Sequence, residues 1–586
     1  MAVITLDVAR SPSATAGIQE AIDALSERGG TVLIPAGRYL VCHSIRLRSG
    51  VTLRGEGTAT VLTRRAPVTF NLTAPCGAHA DTVEVNTATG LQPGDEIIIA
   101  DLMQRTWHSR QFVIQSIKET TLKGRIVAGN PVRSYAPEGG AWGGHCFPML
   151  HIPDCDGVVL ESLTIHGGDH AYSRGDDAGF TCMAVHAVGA TDLRIDRVTV
   201  RGWPTDGIGA QRGRGVTVTH CLVEDCLGRG FHPGTHLRES LWTNNISRRN
   251  LSGFYFCLGV RHAVVADNVF VDNHGCGIDG LGDPDRDNVI RGNLVARNGL
   301  YGIEARGALN NVIAGNIVQD NSQRCPGAYP GVYLHGHAGN VVQGNRCHDT
   351  QDQPTQSRGL VVEEEAGENL FANNMVTDVE VSGPPAPGRA HLRPARWVLE
   401  LDGRLDEPDW QAADRIPANL RIEDGASAVV DTEFRLLYDL SHLYLGARCE
   451  EPFMNRIFDK VEERGGKVWK ENAIEMIMRP PGEGVFTYHL SVNTLGTLYE
   501  RVYEGKRVAD WHPQARAVVH RGEDFWSVEI AIPLASLGVE AVHPGETWRG
   551  NLSRHRTAVR PFETSAWSAT YDGINRPARF GCLVVE

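Results

Sequence analysis

From Val185 onward, short stretches of alternating apolar and polar residues recur at a nearly constant interval. Stretches such as NVIRGNLVARN and NVIAGNIVQDN have the two-residue period of a half-buried β-strand and are rich in valine and isoleucine. One apolar anchor residue opens a strand in each unit; the anchors are Val185, Ile208, Phe231, Phe254, Ile278, Ile303, Val332 and Leu360. Their spacing of 23 to 29 residues is typical of one coil of a β-solenoid and too short for helical repeats.

Asparagines recur in phase with the anchors, in two rows. The first row is Asn245, Asn268, Asn293, Asn316, Asn345 and Asn374, and the second is Asn250, Asn273, Asn298 and Asn321. Stacked asparagines at the turns of parallel coils can hydrogen bond the backbone of the neighbouring coils. We therefore assign these asparagines a structural role and predict an all-β protein that begins with a parallel β-helix over residues 1–380.

The N-terminal segment AGIQEAIDALSERGG has the pattern of an amphipathic helix, predicted at about residues 16–28, that could cap the first coil. The following phrases, GGTVLIPAGRYLV and IRLRSGVTLRGEGTATVL, resemble the start of pectate-lyase-like proteins, which implies a right-handed parallel β-helix. An irregular stretch at about residues 82–148, containing LQPGDEIIIADL, predicts an inserted β-subdomain beside the groove of the solenoid.

The repeat stops near residue 380, and a segment rich in proline and glycine follows. We interpret residues 381–396 as a linker. Residues 397–586 contain more tryptophan and short alternating strands such as HLYLGAR and WSVEIAIPL, which predict a β-sandwich.

Within this second domain, LDGRLDEPDWQAA, ENAIEMIMRP, YHLSVNTLGTLYE, FWSVEIAIPLASLG and RPARFGCLVV follow the order seen in family-9-like carbohydrate-binding modules. The resemblance spans nearly all of residues 397–586 and implies that a sugar lies between tryptophan faces. By motif position it nominates Trp469 and Trp567 as platforms, with Arg554 and Asn551 as polar neighbours. Each tryptophan could equally belong to the core.

Strands of a solenoid point alternate side chains inward and outward, so the residue after each anchor should face solvent. This rule predicts an outer stripe of His232, Tyr255, Asp279, Glu304 and Tyr333. Further groups beside it are candidates for binding substrate: Asp206, Arg229, Arg306, His335 and Trp203. Acids, imidazoles and phenols replace the lysine of an ordinary solvated face, and no lysine occurs between Lys123 and Lys460.

Asp279 and Glu304 fall on neighbouring coils, which are separated by roughly 4.8 Å. Two carboxylates this close cannot both ionise easily, so one pKa should rise, leaving one acid and one base or nucleophile. Glycoside hydrolysis uses such a pair. Our leading hypothesis is therefore a glycoside hydrolase acting on an oligo- or polysaccharide, in which Asp206, about 14 Å from Asp279 by coil count, is too distant to be a direct partner.

Two other interpretations stay open. The coil GFHPGTHLRESLWTNNISRRNLSGFYF resembles that of mannuronan C5-epimerases, and TDGI is similar to a polygalacturonase strand motif, although the catalytic residues of neither family are matched in full. A polysaccharide lyase or uronate epimerase would use His232 or Tyr255 as base, with Arg306 or Arg229 neutralising the uronate carboxylate. The third alternative is a sugar-binding solenoid without catalysis.

Charge and cysteine usage limit the remaining partners. The net charge is −13 and the basic residues are dispersed, so no nucleic-acid partner is expected. No apolar stretch reaches the roughly 18 residues of a membrane span. The 13 cysteines form no CxxC pair, and LHGHAG lacks a third ligand, so we expect neither a metal nor a cofactor. Without a signal-peptide pattern, a cytoplasmic location is expected for the chain as given, and a secreted one if a leader precedes it.

Overall fold

The computed structural model of the chain describes residues 2–6, 13–100, 109–129, 134–137, 140–168, 182–282, 284–335, 339–362, 369–379, 388–423, 425–481, 486–504, 507–559, 562–570 and 573–586. Contacts divide the chain into two compact units, Met1–Gly383 and Pro384–Glu586. Each unit has its own apolar core. The predicted fold class is confirmed, because the chain is nearly all β and contains a right-handed parallel β-helix and a C-terminal β-sheet domain.

The β-helix of the first unit has three faces, and the face that carries the predicted anchors is called the anchor face below. Its ten parallel strands are Ile45–Arg46, Leu150–Pro153, Val185–Val188, Ile208–Gln211, Phe231–Gly234, Phe254–Tyr255, Ile278–Gly282, Ile303–Arg306, Val332–His335 and Leu360–Val362. The anchors are successive register partners, as predicted. All except the partly buried Leu360 lie in the core.

The other two faces pair in the same parallel manner. The second face has the strands Ala2–Thr5, Gly30–Leu33, Val51–Arg54, Thr217–Thr219, Leu241–Thr243, Val264–Ala266, Val289–Arg291, Val312–Ala314, Val341–Gln343 and Leu370–Ala372. The third has Gly37–Val41, Thr60–Arg64, Leu222–Glu224, Ile246–Arg248, Val269–Val271, Leu294–Ala296, Ile317–Gln319, Arg346–His348 and Met375–Val376. Strands Val159–His166 and Arg194–Arg201 run through both faces and turn the corner at Ser162 and Arg197, whose φ angles are positive.

The asparagine rows lie at the corners between faces and hydrogen bond from coil to coil. In the first row, the backbone N–H and the side-chain amide of Asn268 both donate to Oδ1 of Asn293, at 3.0 Å each. The second row repeats the pattern, with Asn273 donating to Asn298. A third row, Asn288, Asn311, Asn340 and Asn369, occupies the remaining corner and was missed in the sequence.

The N-terminal helix spans Ile18–Ala24, shorter than the predicted range, and buries Ile18, Ala21 and Ile22 in the core of the solenoid. The inserted subdomain is a six-stranded sheet that begins before the predicted boundary. Its strands are Thr69–Asn71, Thr82–Glu84, Glu96–Ala100, Arg110–Lys118, Thr121–Gly129 and Trp142–His145. A separate apolar cluster, which includes Phe70, Ile97 and Phe112, fills it. The short 3₁₀ helix Gly57–Ala59 precedes it.

The second unit is built from two sheets that share the strand Arg389–Pro394, within the predicted linker. The remaining strands are Ile416–Pro417, Leu420–Arg421, Thr432–Tyr438, His442–Glu450, Ala473–Arg479, Phe486–Asn493, Leu498–Glu504, Arg507–Asp510, Arg516–Arg521, Phe525–Pro533, Thr547–Arg556, Glu563–Ala566 and Gly581–Val585. Its helices are Pro408–Ala412, Met454–Arg456, Val468–Lys470, Leu534–Leu537 and Pro577–Arg579. In the described part of the chain, no helix has both the length and the apolar character needed to span a membrane.

Candidate functional site

The outer stripe of the anchor face forms in the order that the sequence predicts. Tyr255 is the register partner of Asp279, and Glu304 is the partner of Tyr333. His232 lies one coil before Tyr255, and their rings meet edge to face at 5.0 Å between centroids. The parallel register therefore brings residues about two dozen positions apart into contact on one face.

A β-bulge interrupts the stripe between Asp279 and Glu304. The register shifts between Ile278 and Leu281, so that one extra residue, Gly280, lies on the Asp279 strand. Gly280 has φ +72°, and a Cβ there would come within 2.2 Å of the carbonyl oxygen of Phe256. Only glycine fits this position, and bulges of this kind commonly re-aim a side chain beside a functional site.

Asp279 is the acid whose environment favours the protonated form. Its Oδ2 accepts a hydrogen bond of 2.7 Å from the hydroxyl of Ser252. Its Oδ1 is buried and has no hydrogen-bond partner within the described residues. Burial raises the pKa of Asp279 to about 7, against the charge of Arg229 and the hydrogen bond from Ser252, while the charges of Glu304 and Asp206 add to the rise.

Glu304 has the opposite environment. Its Oε1 accepts a hydrogen bond of 2.7 Å from Nε of Arg306, two residues along the same strand. A guanidinium at this distance favours the ionised carboxylate. The two carboxylates on neighbouring coils are thus placed in unlike surroundings.

Asp206 contacts His232 directly, which the coil count from Asp279 did not anticipate. The Asp206 Oδ2–His232 Nδ1 distance is 2.6 Å, and the backbone N–H of Arg229 donates to Oδ1, also at 2.6 Å. Burial by itself would raise the pKa of Asp206, but the hydrogen bond from His232 and the charges of His232 and Arg229 lower it. Nε2 of His232 is buried without a hydrogen-bond partner among the described residues.

The sequence contained a signal for this pair. Asp206 precedes its anchor Ile208 by two residues, and Arg229 holds the same place before Phe231. Asp206 and Arg229 are therefore neighbours on adjacent coils, and the Asp206 side chain reaches past Arg229 to His232. Counting from His232 instead of from Asp279 would have predicted the contact.

Tyr255 is poorly suited to act as a base at neutral pH. Its phenol lies in a half-buried position, and the guanidinium of Arg229 lies 4.2 Å from the centroid of its ring. Burial raises the pKa of Tyr255 to about 12, although the charge of Arg229 works against this rise. The phenol therefore stays protonated, and of the two bases named for a lyase, His232 is the better placed.

Aromatic rings and a guanidinium group lie together at the end of the stripe that Tyr333 occupies. The guanidinium of Arg306 lies 5.3 Å from the ring centroid of Tyr333. The rings of Tyr333 and His335 are parallel, with centroids 6.4 Å apart, and Tyr301 packs against Tyr333 at 5.1 Å. Arg306, Tyr333 and His335 thus lie together beside Glu304, but the ring of Tyr333 is buried, with 6% exposed, so only Arg306 and His335 present surface that a substrate can contact.

Trp203, by contrast, is a core residue. Its side chain is 1% exposed, and its indole N–H donates to the carbonyl oxygen of Cys182 at 2.8 Å. The ring cannot offer a face to a substrate while it is packed in this way. The prediction that Trp203 binds substrate is therefore wrong for the folded chain.

Three of the four residues nominated for sugar binding in the second unit are buried. Trp567 belongs to the core, Asn551 donates to the carbonyl oxygen of Ser568, and Arg554 pairs with the buried carboxylate of Glu451 at 3.1 Å. Their contacts are structural, which corrects the sequence assignment. The position of a residue in a sequence motif does not show whether its side chain faces the core.

Trp469, the fourth nominated residue, does not belong to the buried core, and its role in sugar binding stays a prediction. It is half-buried, and its ring centroid lies 4.3 Å from that of Tyr499. The buried carboxylate of Glu475 lies nearby, 3.6 Å from Nε2 of His489 and 3.3 Å from Nε2 of His555. The charges of the two imidazoles lower the pKa of Glu475 to about 2, although burial opposes this shift.

Within the described residues, no group of three or more histidine, cysteine or carboxylate side chains is arranged to hold a metal ion. The second histidine of LHGHAG, His337, lies outside the described residues.

Comparison with known proteins identifies the solenoid. The family model of the right-handed β-helix region matches residues 181–325 and 243–384. No curated protein sequence matches the chain significantly.

Solved structures that resemble the chain do so at low identity. The mannuronan C-5 epimerase AlgE4 A-module of Azotobacter vinelandii is 18% identical, with a TM-score of 0.39, over 63% of this chain and 94% of its own. A polygalacturonase of Erwinia carotovora ssp. carotovora is 10% identical, with a TM-score of 0.38, over 65% and 96%. A family 9 carbohydrate-binding module of Caldicellulosiruptor kristjanssonii in complex with glucose is 14% identical, with a TM-score of 0.27, over 34% and 95%. The parallel register and the family match together establish that the first unit is a right-handed parallel β-helix.

Proposed function

We propose that the protein is a glycoside hydrolase that cleaves an oligo- or polysaccharide on the anchor face. One observation carries the proposal: Asp279 and Glu304 lie on neighbouring coils in environments that favour opposite protonation states. Burial raises the pKa of Asp279 to about 7, and Arg306 donates a hydrogen bond to Glu304. Two carboxylates with separated roles are the minimal machinery of this reaction.

The roles follow from the two environments. Protonated Asp279 donates its proton to the glycosidic oxygen as the bond from that oxygen to the anomeric carbon breaks. Ionised Glu304 either removes a proton from the attacking water or forms the new bond to the anomeric carbon itself. Arg306 donates a hydrogen bond that favours ionised Glu304, and the partly exposed ring of His335, which is parallel to the buried ring of Tyr333, offers a neighbouring face to a sugar ring.

The test uses the full chain and a panel of plant and algal polysaccharides, with release of reducing ends as the readout. Asp279→Asn and Glu304→Gln should each lower kcat by a factor of about 10² or more, because each removes a group that acts in the transition state. His220→Gln is the matched control, since His220 pairs with Asp196 away from the stripe. Full activity in both carboxylate variants would refute the site.

The pH dependence provides a second readout. Asp279 must be protonated to act as the acid, so kcat/KM should fall tenfold for each unit that the pH rises above about 7. An activity that stays constant from pH 6 to pH 9 would contradict the role of Asp279.

The Asp206–His232 pair supports a second candidate function, a polysaccharide lyase or uronate epimerase. An ionised Asp206 that accepts the Nδ1–H of His232 leaves Nε2 as a base, and Arg229 lies close enough to neutralise a uronate carboxylate. Elimination would produce an unsaturated uronate, which is detected by its absorbance at about 235 nm. Epimerisation would incorporate solvent deuterium without new chain ends. In either case His232→Gln, and not Glu304→Gln, should abolish turnover.

A further inference from the structure

The outer surface of the anchor face is covered at Gly209, one coil before His232. A Cβ at Gly209 would come within 2.0 Å of the sulfur of Met183, so the Met183 side chain lies directly over this position. Met183 itself is 0% exposed. A side chain at position 209 would displace Met183, which explains why the stripe has a glycine here.

The backbone around Met183 is hydrogen bonded to the neighbouring coil. The carbonyl oxygen of Cys182 accepts hydrogen bonds of 2.8 Å from the indole of Trp203 and from the hydroxyl of Thr205. The backbone N–H of Ala184 donates to the carbonyl oxygen of Asp206. The cover over Gly209 is therefore part of the folded solenoid and is called the Met183 wall below.

Exposure is uneven along the stripe, since Tyr333, which lies beyond Glu304, is only 6% exposed. The side chains of Asp206 and His232 are each 5% exposed, that of Glu304 is 18% exposed and that of Arg306 is 42% exposed. On the other side of the wall, His186 and His151 line a separate small cleft with Arg46 and Glu96. Among the described residues, the surface around Asp279 is thus covered at Gly209, which is called its closed end, and is most exposed at Arg306.

We propose, on the basis of the glycoside hydrolase function proposed above, that the enzyme is exo-acting and that the Met183 wall stops the end of the substrate chain. Asp279 lies three coils from Gly209, about 14 Å at the spacing of parallel strands. A chain that enters from the Arg306 side can therefore place only a few sugars beyond the carboxylate pair. Each cleavage releases a product of one fixed, short length.

His232 is placed to recognise the terminal sugar. Its Nδ1 contacts Asp206 at 2.6 Å, and its Nε2, near the closed end, is buried without a hydrogen-bond partner among the described residues. A buried ring nitrogen without a partner is costly unless a ligand satisfies it, and a sugar hydroxyl can do so because it both donates and accepts hydrogen bonds. His232 is thus a specificity residue for the chain end, and Asp206 is the positioning residue that fixes its tautomer.

The experiment uses six-unit oligogalacturonides, xylo-oligosaccharides and cello-oligosaccharides labelled at the reducing end, together with their parent polysaccharides. Products are separated at low conversion, and viscosity is followed alongside reducing ends. We expect a single short product and a loss of viscosity that lags far behind the release of reducing ends. Hydrolysis that depends on Asp279 but gives mixed lengths and rapid loss of viscosity would overturn the exo proposal and leave the hydrolase function intact. No hydrolysis of any substrate would overturn both.

Two variants examine the closed end separately. His232→Gln should raise KM for the oligosaccharides at least tenfold and change kcat by a smaller factor. If His232 had only a structural role, the substitution would lower the melting temperature without affecting KM more than kcat. Met183→Ala should lengthen the released product. If Met183→Ala fails to fold, the product length of wild type and the KM of His232→Gln still decide the proposal. His220→Gln, on another face, should leave both product length and KM unchanged. An unaltered KM in His232→Gln would refute recognition of the chain end by His232.

Discussion

Two buried carboxylates on the anchor face have pKa values that are shifted in opposite directions. The carboxyl of Asp279 is buried beside a neutral hydroxyl donor, whereas Asp206 faces an imidazole and a guanidinium. The pKa of the first is therefore raised and that of the second lowered, although burial acts on both in the same direction. Arg229 lowers the pKa of both carboxylates, so the additional contact with His232 distinguishes Asp206 from Asp279.

Asp279 should couple stability to pH. Its pKa rises from the ordinary 3.8 to about 7 on folding, so between these values the folded chain holds a proton that the unfolded chain has lost. The stability contributed by this proton is complete below about pH 4 and is lost as the pH rises through 7. Asp279→Asn should therefore raise the melting temperature at pH 8 by a few degrees relative to wild type and change it little at pH 4.

Differential scanning calorimetry at the two pH values measures this difference. Asp267→Asn serves as the control, because Asp267 lies on an exposed turn of the same solenoid and is half exposed. A pH-independent effect of Asp279→Asn would contradict a raised pKa for Asp279.

At the scale of the element, each coil is held to the next by its corner asparagines as well as by its strands. Asn293 donates to Val265 and Asn316 and accepts two hydrogen bonds from Asn268. Its side chain therefore completes the hydrogen bonding of three coils. Buried backbone groups at a corner have no ladder partner, so the side chain must supply one.

Asn293→Ala should lower the free energy of unfolding by about 3 kcal/mol, because it leaves buried donors of Asn268 and the carbonyl of Val265 without partners. Asn374→Ala is the matched control, since Asn374 occupies the same corner in the last coil, is only partly buried and should cost about 1 kcal/mol. Chemical denaturation measures both values. Equal losses would show that the position in the row has no effect.

At the scale of the whole molecule, the chain consists of two compact units with separate cores. Arg554 and Arg556 of the second unit both pair with Glu451, which is 0% exposed. Removing one member of a buried ionic group leaves an uncompensated charge, at a cost of roughly 3–5 kcal/mol.

Glu451→Ala should therefore lower the melting transition of the second unit and leave that of the β-helix in place. Asn293→Ala should do the reverse, because it lies in the first unit. Calorimetry of the full chain resolves the two transitions. If both variants lowered the same transition equally, the units would not unfold separately.

The anchors, two of the asparagine rows and the order of the outer stripe were predictable because they are periodic. Every coil buries its anchor in nearly the same surroundings, so the same type of residue returns at the interval of one coil. Asp279 and Glu304 could be placed on neighbouring coils for the same reason. Their chemical roles remain predictions that the variants above address.

The sequence by itself determined the solenoid, its register and the residue types on its surface, since a repeating backbone imposes a repeating pattern. Only the tertiary structure decided the bulge at Gly280, the Asp206–His232 contact and the Met183 wall over Gly209. It likewise placed Trp203, Trp567, Arg554 and Asn551 in the interior. These features depend on contacts made once, between particular side chains of different coils or strands, and a contact made once leaves no period in the sequence.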